Sequence, residues 1–191
     1  LQIPSFFIGV ISIGFISLPI LWWIALAPNM ILHTLGLSMN YYMLYQAIAA
    51  SGMFVNTIIF HIIAGRVSMH NIVIIGVFFC ILGLALGLIY HTDILMTSLN
   101  MFFFGIGLGL LNGINMRIIA KLKTESSNML YSLMVFIECV ILAIGIEIAN
   151  QILAQYDYSL TSFNIISAIM GSIAILFVLW FASKNKDRSW Q

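Results

Sequence analysis

The 191 residues are 62% hydrophobic and only 7% charged, with seven Lys and Arg, six Asp and Glu, and a formal net charge of +1. A typical soluble domain is roughly 25% charged, so a soluble chain of this size could not cover its surface with so few charges. The near-neutral balance also offers no basic patch for a nucleic-acid partner. Cys80 and Cys139 both lie in apolar stretches, and without a CxxC or Cys/His cluster neither a disulfide framework nor a zinc site is supported. The apolar stretches hold no nucleophile–base pair and no cofactor motif, so an enzyme reading has no footing.

The chain opens Leu1-Gln2-Ile3-Pro4, without an initiator Met or the basic n-region of a signal peptide, and reads as an excerpt from a longer polypeptide. A bilayer core of about 30 Å needs roughly 20 helical residues. Six stretches meet that length: Ser5–Ala27, Tyr41–Ala64, Asn71–Tyr90, Ile94–Met116, Asn128–Leu153 and Ser162–Ala182. They are too long for strands, and the Gly and Pro inside them are tolerated in membrane helices. The expected fold is therefore all-α, a polytopic membrane domain of six transmembrane helices over residues 1–191.

The first span carries Trp22, Trp23 and the kink-prone Pro19. The connection after it, Pro28–Asn40, contains Pro28 and Gly36 and is expected to be partly interfacial. The second span is the most polar, with Tyr41, Tyr42, Tyr45, Gln46, Ser51, Asn56, Thr57 and His61. The third has Cys80 alone. The fourth carries Ser98, Asn100, Asn112 and Asn115, and Arg117–Ser127 beyond it reads as a small amphipathic surface helix. The fifth carries Glu138, Glu147 and Asn150, and the sixth only small hydroxyls such as Ser167 and Ser172. Polar groups in hydrocarbon are costly unless they face protein or a water-filled cavity. Helices two, four and five should accordingly face a wet interior, while three and six face lipid or brace the others. The inward, inward, outward order repeats every three helices, as in the inverted repeats of secondary transporters.

Positive charge is segregated. Arg66 falls in the second connection, Arg117, Lys121 and Lys123 in the fourth, and Lys184, Lys186 and Arg188 in the tail, whereas the first, third and fifth connections have none. Because cytoplasmic loops retain Lys and Arg, both ends of the segment are expected in the cytoplasm. Gly105, Gly109 and Gly113 recur every four residues along the fourth span, and Gly83 and Gly87 do so on the third. Such small-xxx-small faces let helix backbones approach closely.

Among side chains with possible chemistry, Glu138 lies about 15 Å into its span at the helical rise. An ionised carboxylate at that depth costs several kcal/mol, so the neutral acid should prevail until a cation arrives. Glu138 could bind a cationic solute or exchange a proton, or could be a protonated side chain hydrogen-bonded to a neighbouring helix. Glu147 is nine residues further on and, at about 100° per residue, points to the opposite face, so both cannot reach one cavity. A packing or gating role suits Glu147 better. Tyr42, Tyr45, Ala49, Gly52 and Asn56 share one stripe of the second span within about 80° of arc. That stripe would suit amphipathic cations through ring area and cation–π attraction. The alternative is an interfacial aromatic belt, which fits Tyr41 but not the deeper Tyr45 and Asn56. His33, His70 and His91 read as solvated connection residues, and His61 as a weak candidate for a proton relay.

These residues resemble the C-terminal six-helix half of the major facilitator superfamily, and within it the MdfA-type multidrug/proton antiporters. Leu18–Leu32 (LPILWWIALAPNMIL) is similar to that family's seventh helix at Pro19, Trp23, Ala25, Pro28 and Met30. Gln46 matches a Gln of the eighth helix. Gly107-Leu108-Gly109-Leu110 with Arg117 resembles the tenth, and Gly145-Ile146-Glu147-Ile148 the eleventh, where the family also has a Glu. Two positions depart: Gly113 stands where the family has a Pro, and Glu138 where it has an aliphatic residue. The resemblance implies a twelve-helix fold in two halves, each a 3+3 repeat, with the substrate held between them. The main proton-titrating carboxylates would belong to the N-terminal half, so this chain would supply one wall of the cavity.

The expected function is secondary active transport, in particular proton-coupled efflux of lipophilic, often cationic compounds across the cell inner membrane. The expected substrate contacts are Trp23, Tyr45, Gln46, Asn56, Asn112 and Glu138, with Glu138 and Glu147 as the candidates for proton coupling or gating. The expected partners are the lipid bilayer, a small-molecule substrate, protons and the N-terminal six-helix half. Proton-coupled uptake of a small metabolite is the alternative on the same scaffold, and a self-contained six-helix channel or membrane assembly module the alternative from another class.

Overall fold

The computed structural model describes the backbone of residues 2–63, 66–120 and 127–184, with side chains throughout except at 2–5, 115, 117–120 and 127–130. The described residues form α1 (Gln2–Pro28), α2 (Met39–Ile63), α3 (Met69–Ile89), α4 (Ile94–Ala120), α5 (Ser127–Ala154) and α6 (Leu160–Lys184), and no strand. All six helices contain a stretch long and apolar enough to cross a membrane. Local chemistry sets several boundaries. Ser68 caps α3 by accepting from the Asn71 N–H at 3.4 Å. Asp93 caps α4, its Oδ1 accepting from the N–H groups of Leu95 and Met96 at 2.8 and 3.2 Å. Ser159 Oγ accepts from the Ser162 N–H at 3.2 Å at the start of α6. Each cap satisfies amides that the first helical turn leaves without partners.

Two helix ends differ from the sequence expectation. Pro28 does not end α1 in a loop. It passes into a π-helical turn, Asn29–Thr34, before a short connection in which Gly36 takes a φ of +63°. Proline removes an amide donor and crowds the carbonyl four residues earlier, which opens the hydrogen-bond ladder without breaking the helix. At the other end of the bundle α4 runs on to Ala120, so Arg117 belongs to its last turn. Asn115 and the rest of the expected surface helix after Ala120 lie outside the described side chains or residues.

The helices pack with an internal two-fold exchange. α1 and α4 lie against each other at the centre; α2 and α3 pack on α4, while α5 and α6 pack on α1, and α3 meets α6. Exchanging the first three helices for the last three turns the contacts of α2 and α3 with α4 into those of α5 and α6 with α1 and leaves α1–α4 and α3–α6 in place, so the 3+3 repeat read from polarity is present in the packing. α3 and α6 expose Ile74, Phe78, Ile81, Ile165, Ile169 and Leu176, but α2 and α5 expose large apolar side chains as well, among them Phe54, Ile58, Phe136 and Ile144.

Close approach is achieved through glycine. Gly52 of α2 meets the Phe102 carbonyl of α4, and Gly83 of α3 lies against the α4 backbone at Asn100 and Phe104, where a β-carbon would not fit. Ala49 and Gly52 are thereby buried, so two of the five residues in the α2 stripe expected to front the substrate are packing surface instead.

A second correction concerns α6, which is more polar than expected. Asn164 and Asn100 are each 1% exposed. Asn100 Nδ2 donates to Asn164 Oδ1 at 3.1 Å, and Asn164 Nδ2 donates to Thr97 Oγ1 at 2.8 Å and to the His91 carbonyl at 3.3 Å. Asn100 therefore joins α4 to α6 and does not face a wet interior. Nearby, His91 Nδ1 and Thr161 Oγ1 are 3.0 Å apart, and the Thr34 hydroxyl donates to the Asp157 carbonyl at 2.9 Å. These bonds tie together the connections that carry no Lys or Arg.

Candidate functional site

α5 lies along α1 through two complementary notches. A β-carbon at Gly14 would stand 3.0 Å from Ile141, and one at Gly145 would collide with Leu18. This contact turns the edge of α5 carrying Glu138 toward the centre of the bundle, about 17 Å from the start of α5 at the helical rise. α2 approaches α4 from the other side. Between them is a cavity of about 380 Å³, with Ser17, Ile20 and Leu21 of α1 and Leu108 of α4 at its base. Met53, Asn56 and Thr57 line it from α2, Asn112 from α4 and Glu138 from α5.

The polar groups are ordered by local bonds. Ser17 donates to the Ile13 carbonyl at 2.9 Å, which leaves its oxygen free to accept from Asn112 Nδ2 at 3.5 Å. The amide oxygens of Asn112 and Asn56 are buried and have no protein partner. Two amide side chains and a carboxyl group thus line one membrane-embedded cavity whose other walls are largely aliphatic.

Of the residues expected from sequence to contact substrate, Asn56, Asn112 and Glu138 come together here. Tyr45 and Gln46 lie nearer the Tyr41 end of α2 and do not line this cavity. Tyr45 stacks on Tyr41 with ring centroids 6.2 Å apart, and the Gln46 Oε1 is buried without a partner. Trp23 is a correction. It is 0% exposed, tilted against Phe163 of α6 at 5.6 Å, and so belongs to the α1–α6 core instead of a substrate surface. The reason is that α1 is a central helix enclosed by α4, α5 and α6, so a large ring on its α6 side has no route to solvent. Glu147 is exposed on α5, away from the cavity, and accepts from Gln151 Nε2 at 2.8 Å. Sequence reasoning passed over Ser17 and Asn164, and named Thr57 only among the polar residues of the second span. A lone hydroxyl or amide in an otherwise apolar span was the available signal.

A six-helix bundle with two-fold exchange, whose cavity is flanked by the second helix of each three-helix unit, is consistent with one half of a major facilitator fold. No family model matches the chain. It is 26% identical over 191 residues to the multidrug transporter MdfA of Shigella boydii serotype 4, covering 96% of this chain and 46% of that protein. It is also 26% identical over 181 residues to the multidrug transporter MdfA of Escherichia coli O6:H1, covering 91% of this chain and 44% of that protein. The chain thus spans about half the length of the curated relatives it matches, as one six-helix half would.

Proposed function

We propose that this chain is the C-terminal wall of the substrate cavity in a secondary active transporter of the cell inner membrane, which exchanges protons for lipophilic, often cationic compounds. The observation carrying the proposal is the convergence of Glu138, Asn56 and Asn112 on one cavity at membrane depth. A carboxylate there attracts a cation strongly because little water screens it. The Asn56 and Asn112 side chains add polar lining, and Met53, Ile20, Leu21 and Leu108 take the apolar body of the ligand. A proton and an organic cation would neutralise Glu138 as alternatives, and that competition is what an exchanger requires. Both termini of the segment lie in the cytoplasm on this reading, and an N-terminal six-helix half closes the cavity. The aliphatic walls favour drug-like solutes over a small polar metabolite. The match to half of longer relatives supports a transporter half over a self-contained channel or assembly module.

The test is transport by the whole polypeptide reconstituted in proteoliposomes. A proton gradient imposed across the vesicle should drive flux of a lipophilic cation, and dissipating it with a protonophore should stop that flux. Proteoliposomes holding residues 1–191 alone should show none. Gradient-independent flux through the isolated segment would replace this proposal with the channel reading.

A further inference from the structure

A second cavity, of about 560 Å³, opens between α1 and α6 and shares no lining residue with the one that holds Glu138. Ile11 and Phe15 form its α1 wall, and Ile173, Leu176, Phe177 and Trp180 are on α6. Ile173 is 51% and Leu176 68% exposed, so the groove faces outward from the bundle. Its length is informative. Ile173 to Trp180 covers about 10 Å of helix, and Lys184 follows one turn, about 6 Å, later. The groove thus lies within the depth of one leaflet of a bilayer whose core is about 30 Å thick.

Its end is chemically distinct from its walls. Trp180 stacks on Phe177 with centroids 5.6 Å apart and planes at 11°, and Lys184 Nζ sits 4.5 Å above the Trp180 ring. The ring attracts the ammonium and holds it at the mouth of the groove, yet its N–H donors remain available to an anion. An apolar slot of leaflet depth ending in an aromatic-supported cation matches one class of occupant.

We propose that this groove binds an anionic phospholipid, with one acyl chain along Ile11, Phe15, Ile173 and Phe177 and its phosphate on Lys184. Tryptophan and lysine are both favoured at the membrane interface, and a basic side chain there prefers anionic headgroups over zwitterionic ones. The site is independent of the cargo that the Glu138 cavity carries, so it stands or falls separately from the transport reading.

Trp180 provides the probe. The whole polypeptide would be reconstituted in bilayers titrated with phosphatidylglycerol or phosphatidylcholine carrying brominated acyl chains, which quench tryptophan only at contact. Subtracting the same titration on Trp180→Phe isolates the signal of Trp180. Brominated phosphatidylglycerol should quench it at a mole fraction about five-fold lower than brominated phosphatidylcholine does. Lys184→Gln should abolish that preference, and Lys184→Arg should retain it. Equal quenching by the two lipids, or a preference that survives Lys184→Gln, would overturn the site. Absence of quenching by either lipid would show that another part of the protein covers the groove, and would overturn it too. Should Trp180→Phe fail to fold, lipid retention by wild type and Lys184→Gln in native mass spectrometry gives the same comparison, and equal retention of phosphatidylglycerol by the two rejects the proposal.

Discussion

The carboxamide of Asn56 on α2 lies against the bare Cα of Gly109 on α4, so closely that a β-carbon at 109 would overlap its Nδ2 and Cγ. Both residues line the cavity that contains Glu138. The glycine therefore does two things at once. It lets α2 approach α4, and it fixes where the amide of Asn56 sits relative to the cavity.

Gly109→Ala should accordingly harm both stability and substrate binding. The clash falls on a short side chain next to its own backbone, so α2 must move, at a cost of about 1–3 kcal/mol. Gly113→Ala is the informative contrast. There the added carbon would meet the far edge of the Phe60 ring at 2.9 Å, and a ring edge can swing aside. Thermal unfolding in detergent and equilibrium substrate affinity should both fall for Gly109→Ala, with a smaller fall in stability alone for Gly113→Ala. Equal losses in the two variants would show that Asn56 has no part in the site.

The Asn100–Asn164 pair should behave as structure without specificity. Asn164→Leu removes the acceptor for Asn100 and the donor for Thr97 and the His91 carbonyl. Hydrogen bonds between membrane helices are worth about 0.6 kcal/mol on average and up to about 1.7. With three lost and two partners left buried, unfolding should require roughly 1–3 kcal/mol less, and a double-mutant cycle with Asn100→Leu should show coupling. Relative affinities for different substrates should not change. A shifted substrate profile would place this cluster in the transport pathway.

Helix number and approximate ends were legible because hydrocarbon thickness sets a length that 20 or so apolar residues must fill. The repeat was legible because polar residues cluster on some spans and avoid others. What polarity could not reveal was the partner of each polar group. Asn100 and Asn112 read alike as amides on one helix, yet one bonds Asn164 and the other bonds Ser17 and lines the cavity, because residues 12 apart on α4 meet different neighbours. Trp23 misled for a related reason. An aromatic residue costs little in a core or at a binding surface, so only the central position of α1 decides between them. Glu138 was the most informative single letter, since a carboxyl at that depth needs a polar surrounding, and Ser17, Asn56 and Asn112 border the same cavity.

Orientation rests on charge alone and has a direct test. In a Cys-free background of the whole polypeptide, Asp157→Cys should react with an impermeant maleimide on intact cells, because Asp157 is exposed in the α5–α6 connection, on the side without Lys or Arg. Ser126→Cys, in the connection containing Lys121 and Lys123, should react only after the membrane is opened. The reverse pattern would invert the domain.

Glu138 carries the last prediction. Replacing it with Gln keeps size and most hydrogen bonding but removes the charge that a cationic substrate would meet. A charge-assisted contact contributes about 1.5–3 kcal/mol. Affinity for a monovalent lipophilic cation should therefore fall about ten- to hundred-fold, at 1.4 kcal/mol per decade. Affinity for a neutral substrate of similar size should stay within a few-fold, because Asn56, Asn112 and the aliphatic walls are unchanged. Proton release on cation binding, measured in weakly buffered detergent solution, should disappear in the same variant. Glu147→Gln should leave both equilibrium affinities as they are, since Glu147 is exposed elsewhere on α5 and pairs with Gln151. If Glu138→Gln weakens cationic and neutral substrates alike, Glu138 is a packing residue and charge recognition must come from elsewhere in the transporter. Loss confined to cations, together with loss of proton release, assigns both substrate charge and proton exchange to this one carboxyl group.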